Sequence, residues 1–144
     1  MRYINDNPNR PYYTPEMKDK LLQFLIDNVE INALYKLNKQ LIQEFMNNMD
    51  WDLIDGLFWI FQNDGLIEQY ALNYSSIDMV LLPTSVDFIA KGGYQMQAEI
   101  IDKQIELLKE QLKDLQKAKS WDKINTILET ITHLKSLIQV AFIN

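Results

Sequence analysis

Residues 50 to 94 read DWDLIDGLFWIFQNDGLIEQYALNYSSIDMVLLPTSVDFIAKGGY, and four structural signals follow one another there almost without a spare residue. Asp50 is placed to cap a helix over Trp51 to Asn63, in which Leu53, Ile54, Leu57, Phe58, Ile60 and Phe61 recur at the 3.6-residue period of a buried face. Gly65 ends it. Two strand-length runs, Ile67 to Leu72 and Ile77 to Leu82, flank the turn-forming Asn73-Tyr74-Ser75-Ser76 and predict a hairpin. Pro83 stops the second run, Thr84 and Asp87 have the spacing of a capping box for a short helix, and Gly92-Gly93 releases that helix.

Upstream, residues 1 to 14 form an irregular arm rich in Asn and Pro, with Tyr3, Ile4, Tyr12 and Tyr13 as candidate anchors. Thr14-Pro15-Glu16 starts a first helix, whose stripe of Met17, Leu21, Leu22, Leu25 and Ile26 continues to about Asn28. Val29 to Asn32 suits a short edge strand. A second helix is expected within Ala33 to Met49, with Leu34, Leu37, Leu41, Ile42, Phe45 and Met46 facing inward; the pattern leaves a break near Asn38 open.

From Gln95 the composition turns to Glu, Lys, Gln and Leu under a strict repeat. Ala98, Ile101, Ile105, Leu108, Leu112 and Leu115 are spaced alternately by three and four, the a and d positions of a heptad seam. Ser120 offers a break, after which Ile124, Ile127, Ile131, Leu134, Ile138 and Ala141 repeat the spacing. Two such helices fold back on each other or pair with another copy. Each seam is narrow, and Leu128, Leu137, Val140 and Phe142 widen the second, so a homo-oligomer, preferentially a dimer, is expected. The fold class is therefore mainly α with a small β-hairpin, divided into the arm, a domain over 15–94 and a helical tail over 95–144.

The strings Asn63-Asp64-Gly65-Leu66-Ile67, Leu82-Pro83-Thr84 and Phe88-Ile89-Ala90-Lys91-Gly92-Gly93-Tyr94 resemble those of uncharacterised bacterial winged-helix proteins. In that group the hairpin is followed by a short helix ending in Gly-Gly-aromatic and then a long coiled-coil helix. The resemblance spans roughly residues 15 to 119. It implies the fold and carries over no activity; winged helices at large are DNA binders or protein-interaction modules.

Charge separates those two roles. The net charge is −6, with seven basic and 13 acidic residues over 1–94 and seven of each over 95–144. No basic residue stands between Lys39 and Lys91, an interval that contains Glu44, Asp50, Asp52, Asp55, Asp64, Glu68, Asp78 and Asp87. In a DNA-binding winged helix, Trp51 to Asn63 would enter the major groove and the loop 73–76 would form the wing. Its outward positions are Asp52, Asp55, Trp59, Gln62 and Asn63, and the chain's two arginines, Arg2 and Arg10, lie in the arm. Phosphate contact needs cations, so duplex DNA is not the expected partner. Trp51, Asp52, Asp55, Trp59 and Gln62 are instead candidate contacts for a protein partner, because four aromatic rings on one 13-residue helix span more than its buried face. A DNA-binding regulator that uses its arm is the alternative.

Chemistry finds few parts. With no cysteine there is no thiol nucleophile, Cys-ligated metal or disulfide, which suits a cytoplasmic location. Asp50, Asp52 and Asp55-Gly56 miss calcium-loop spacing by one place, and Phe61 stands where the bidentate Glu belongs, so capping and solvated charge explain them better. His133 has Glu129 one turn before it, but nothing completes a metal site. No phosphate-cradling glycine string occurs. Neither an enzyme nor a cofactor is expected. The first residues lack the apolar core of a signal peptide, and Asn125, Glu129, His133, Lys135 and Gln139 interrupt the last helix too often for a membrane span.

Overall fold

A computed structural model describes residues 13–138, with six helices and one three-stranded antiparallel sheet. Helix α1 (Pro15–Asn28) starts as expected: Thr14 Oγ1 accepts from the Met17 amide at 3.2 Å, and Pro15 takes the first helical position, where its missing N–H costs nothing. It buries Leu21, Leu22 and Leu25, and also Lys18. Tyr13, read as part of the arm, is a core residue. The rest of the arm, the side chain of Ile138, and Val140, Ala141 and Phe142 lie outside the described residues.

The expected second helix is two elements. Leu34–Asn38 is strand β1, paired residue by residue with the second hairpin strand, and Lys39–Phe45 is the seven-residue helix α2. Asn38 makes the break: its side chain accepts from the Gln40 and Leu41 amides at 2.8 and 3.3 Å. Leu34 and Leu41, expected inside, are 65% and 55% exposed. The edge strand expected over Val29 to Asn32 is reduced to an isolated bridge from Ile31 to Leu81.

Helix α3 (Trp51–Asn63) and strands β2 (Ile67–Leu72) and β3 (Ser76–Leu81) fall within a residue of their expected bounds. The sheet order is β1-β3-β2, so β3 is central and sends Ile77, Met79 and Leu81 into the core beneath α1 and α3. A bulge shifts the β2–β3 register between Glu68 and Ala71, with Gln69 at φ +55°. It puts Tyr70, rather than Gln69, on the buried side with Ile67, three residues before it.

Helix α4 (Pro83–Ala90) lacks the expected capping box. Its first residue follows Leu82, which makes no side-chain cap; the Thr84 hydroxyl donates instead to the Gly65 carbonyl at 2.6 Å, and Asp87 pairs with Lys91 on the surface. Helix α5 (Gly93–Lys117) begins at once, through Gly92 and Gly93 at φ +106° and +62°, and its first turns pack on α1 and α4. Helix α6 (Trp121–Ile138) follows after three residues and packs on α5. The two run antiparallel: Ile101 and Ile105 meet Ile131, and Leu115 lies beside Ile127.

Candidate interaction surface

The outward stripe of α3 is organised by one tyrosine. Asp55, Trp59 and Gln62 stand at i, i+4 and i+7, one helix face, and all three engage Tyr70 of β2. The Tyr70 hydroxyl donates to the Asp55 carboxylate at 2.5 Å, the Gln62 side-chain oxygen accepts from the Tyr70 amide at 2.8 Å, and the Trp59 ring meets the phenol ring edge-on at 5.4 Å between centroids. Behind them Phe58 lies parallel to the same ring at 5.1 Å. Burial, followed by the hydrogen bond and charge of Asp55, pushes the Tyr70 phenol well above its ordinary pKa. The bulge that inserts Tyr70 would leave its amide unpaired at the sheet edge, and Gln62 closes that gap. Asp55 and Gln62 therefore fasten the hairpin to α3.

Tyr13 covers the next part of the helix. A Cβ at Gly56 would strike its hydroxyl, so the glycine is what admits the ring. The Tyr13 phenol is pushed up by burial and by the nearby Asp55 and Asp52 charges. Trp51 is half-buried under the Lys39 ammonium, 4.8 Å from its ring, and its indole nitrogen is buried with no hydrogen-bond partner among the described residues. Lys39 also donates to the Tyr74 carbonyl at 3.3 Å, so the last cation before the acidic interval is folded back over the hairpin turn. Of the five candidate residues, Asp52 and Trp59 face solvent, Trp59 with 46% of its surface. Outside that stripe Tyr74 at the hairpin tip is 99% exposed and Leu72 beside it is exposed as well. In the sequence the tip reads as a turn and, for DNA binding, as the wing, and Tyr74 is not singled out. Its one signal was an aromatic residue in a position that turn geometry leaves to small polar ones.

A second polar cluster joins α1, the end of α3 and the start of α5. Both oxygens of Asp19 accept from α5 amides, Tyr94 at 2.8 Å and Gln95 at 3.1 Å, while the Tyr94 hydroxyl donates to Asp64 at 2.6 Å. Lys18, 4% exposed, places its ammonium 4.8 Å from the centre of the Tyr94 ring. Burial lowers its pKa, and the Asp64 and Asp19 charges oppose that shift. Tyr94 is raised, first by burial and then by Asp64. A cavity of about 370 Å³ opens beside the cluster, walled by Lys18, Asp64, Phe88, Tyr94, Ile101 and Leu137. The cluster does structural chemistry: a carboxylate on a helix N-terminus satisfies orphan amides and meets the positive end of the helix dipole. Asp19 was missed in the sequence because it lies some 75 positions from the amides it caps. A helix opening on Gly-Gly-Tyr, with no capping side chain of its own, was the available sign of an outside acceptor.

Asp50 accepts from the Asp52 amide as the α3 cap. Among the described residues no group of three or more His, Cys, Asp or Glu is placed to hold a metal ion, and no helix is long and apolar enough to cross a membrane. No protein-family model, curated protein or solved structure matches the chain.

Proposed function

We propose that this chain is a non-enzymatic protein-interaction module: an acidic winged-helix domain, oligomerised by a coiled-coil tail, that binds a basic surface of another protein as an inhibitor or adaptor. The arrangement in favour of a winged helix is the succession α1, β1, α2, α3, β2, β3, with the early strand β1 added to the outer side of the hairpin. The observation that carries the interaction reading is electrostatic. No cation occurs between Lys39 and Lys91, Lys39 itself is turned onto Trp51 and Tyr74, and Trp59, Leu72 and Tyr74 are among the apolar groups of this acidic interval left in solvent. A partner that complements them is cationic with an apolar centre.

The alternative, a DNA-binding regulator, draws on the same fold reading and on Arg2 and Arg10. It requires α3 to face phosphates with Asp52 outward and with Tyr13 and Tyr70 covering much of its length. We expect no binding of mixed-sequence duplex at physiological salt in fluorescence anisotropy. Micromolar affinity that weakens steeply with salt and is lost in Trp59→Ala would replace the interaction reading with the regulator. For the interaction itself, the protein immobilised against extract of its native host should retain a basic protein that Trp59→Ala with Tyr74→Ala releases. Retention unchanged by that pair, or by Asp52→Lys, places the contact elsewhere and overturns the proposed surface.

A further inference from the structure

The a side of the tail hairpin, the more closed, buries more of its seam than the d side, the more open, although Trp121 (63% exposed) and Leu128 (45%) of α6 stand in solvent on the a side. In the heptad, a positions lean toward e and d positions toward g, and in an antiparallel pair the two g sides coincide. On the a side Ile105, Ile124 and Ile131 are buried, with Leu112 half-buried. On the d side only Ile101, next to the globular part, is buried; Leu108, Leu115, Ile127 and Leu134 are half-buried like Leu112, and Leu108, Ile127 and Leu134 pack against the buried isoleucines. The apolar surface continues outward on that same side, through Leu107 (60% exposed) and Ile100 (50%) on α5 and Leu137 (45%) on α6.

The charges divide the same way. Flanking the open side are Gln97, Gln104, Gln111 and Thr130, with Lys123 as the one charged g residue, whereas Glu99, Asp102, Glu106, Lys109 and Lys113 occupy the b and e positions of α5 on the closed side. Apolar residues at a centre stripped of charge, edged by neutral hydrogen-bonding side chains, are the composition of a protein interface core.

We propose that the open d/g side of the hairpin is the seat of a second copy of this chain, giving a two-fold symmetric four-helix bundle. This rests on the oligomerising tail of the function proposed above and specifies its face. The occupant follows from charge and size. Residues 1–94 carry the whole net charge of −6 and repel their own kind, while residues 95–144 are neutral. A face on a segment of zero net charge, with Lys123 as its one charged g residue, selects no foreign partner by sign and is complementary to itself under a two-fold axis. Helix α6 has 18 residues, about 27 Å at ~1.5 Å per residue. Two helices side by side over that length present a corrugated face on the order of the ~800 Å² per partner that a specific dimer buries.

The test uses full-length protein in sedimentation equilibrium with light scattering, and substitutions of residues that already face solvent, so that a lone copy tolerates them. Wild type is expected to be a dimer at micromolar concentration. Ile100→Glu with Leu107→Glu should weaken dimerisation by at least about 100-fold, since each change enters a two-fold interface twice. Trp121→Glu with Leu128→Glu, on the closed side, should leave it unchanged. A wild type that is monomeric at high micromolar concentration overturns both this inference and the oligomerising tail. A dimer broken by the closed-side pair and spared by the open-side pair overturns the face alone. Helical content by circular dichroism, equal in all variants, separates loss of association from loss of the hairpin.

Discussion

Replacing Gly93 by alanine is expected to cost about 3–5 kcal/mol of stability, against about 1–2 kcal/mol for the same change at Gly65. Both glycines have positive φ, +62° and +76°, where a side chain is strained by about 1–2 kcal/mol. They differ in what a methyl group would meet. At Gly65 no atom lies within 4 Å of it, so the backbone term stands alone. At Gly93 it would collide with the Asp19 carboxylate, whose two oxygens hold the Tyr94 and Gln95 amides. Moving Asp19 aside gives up two charge-assisted hydrogen bonds, each worth about 1.5–3 kcal/mol, and uncaps a buried helix start. Relaxation recovers part of this sum. Urea unfolding of the two variants provides the comparison. Equal losses would mean that Asp19 does not anchor α5, and Asp19→Ala should then be nearly neutral instead of approaching Gly93→Ala.

The same cap marks where local reading of the sequence stops. Helices α1 and α3 were legible because each carries its own start signal, Thr14-Pro15 and Asp50, and a buried stripe at helical period. The hairpin was legible because β2 and β3 are adjacent in sequence and separated by a turn. Strand β1 was not, since Leu34, Leu37 and Leu41 are spaced by three and four as in a helix, and only pairing with β3, some forty residues later, makes Leu34–Asn38 extended. Tertiary pairing overrides a local period in such a case. The box read at Thr84 and Asp87 failed for a related reason: the Thr84 hydroxyl finds the Gly65 carbonyl across the fold before it can serve its own helix.

The candidate surface was legible as a helix face and illegible in its occupancy. Asp55, Trp59 and Gln62 do share a side of α3, but what they meet depends on the bulge at Gln69, which shifts Tyr70 into place. Nothing in the residues 67–72 announces that bulge; Gln69 is not a glycine, and a non-glycine residue at positive φ is held there by its surroundings. The spacing of the seam residues was legible in the sequence. Which of them stay half-exposed followed only from the packing of α6 on α5 within one chain.

The tyrosines that do this fastening should make the protein fail at alkaline pH. The folded-state pKa of Tyr94 is raised by burial and Asp64, that of Tyr70 by burial and Asp55, and that of Tyr13 by burial and the Asp55 and Asp52 charges. A raised folded pKa means stability fully present below the unfolded value of about 10 and lost as pH climbs from there toward the folded value, because the unfolded chain releases its phenolic protons first. At pH 11 each phenol kept neutral in the fold lowers stability by about 1.4 kcal/mol. Tyr94, the most enclosed, contributes this in full; Tyr70 and Tyr13, nearer solvent, contribute less, for a total of about 2–3 kcal/mol out of an ordinary 5–15. Lys18 acts in the opposite sense. Its folded pKa is lowered, so it adds stability as pH rises through that folded value toward about 10.5 and nothing beyond. The expected curve is therefore nearly level up to pH 10 and falls above it. Urea unfolding from pH 8 to 11, alongside the near-ultraviolet absorbance of phenolate, follows both quantities at once, and Tyr94→Phe should flatten the fall by about 1.4 kcal/mol at pH 11. Phenols that all ionise near pH 10 in the folded protein, with stability level to pH 11, would show that Tyr94 and Tyr70 are not locked to Asp64 and Asp55.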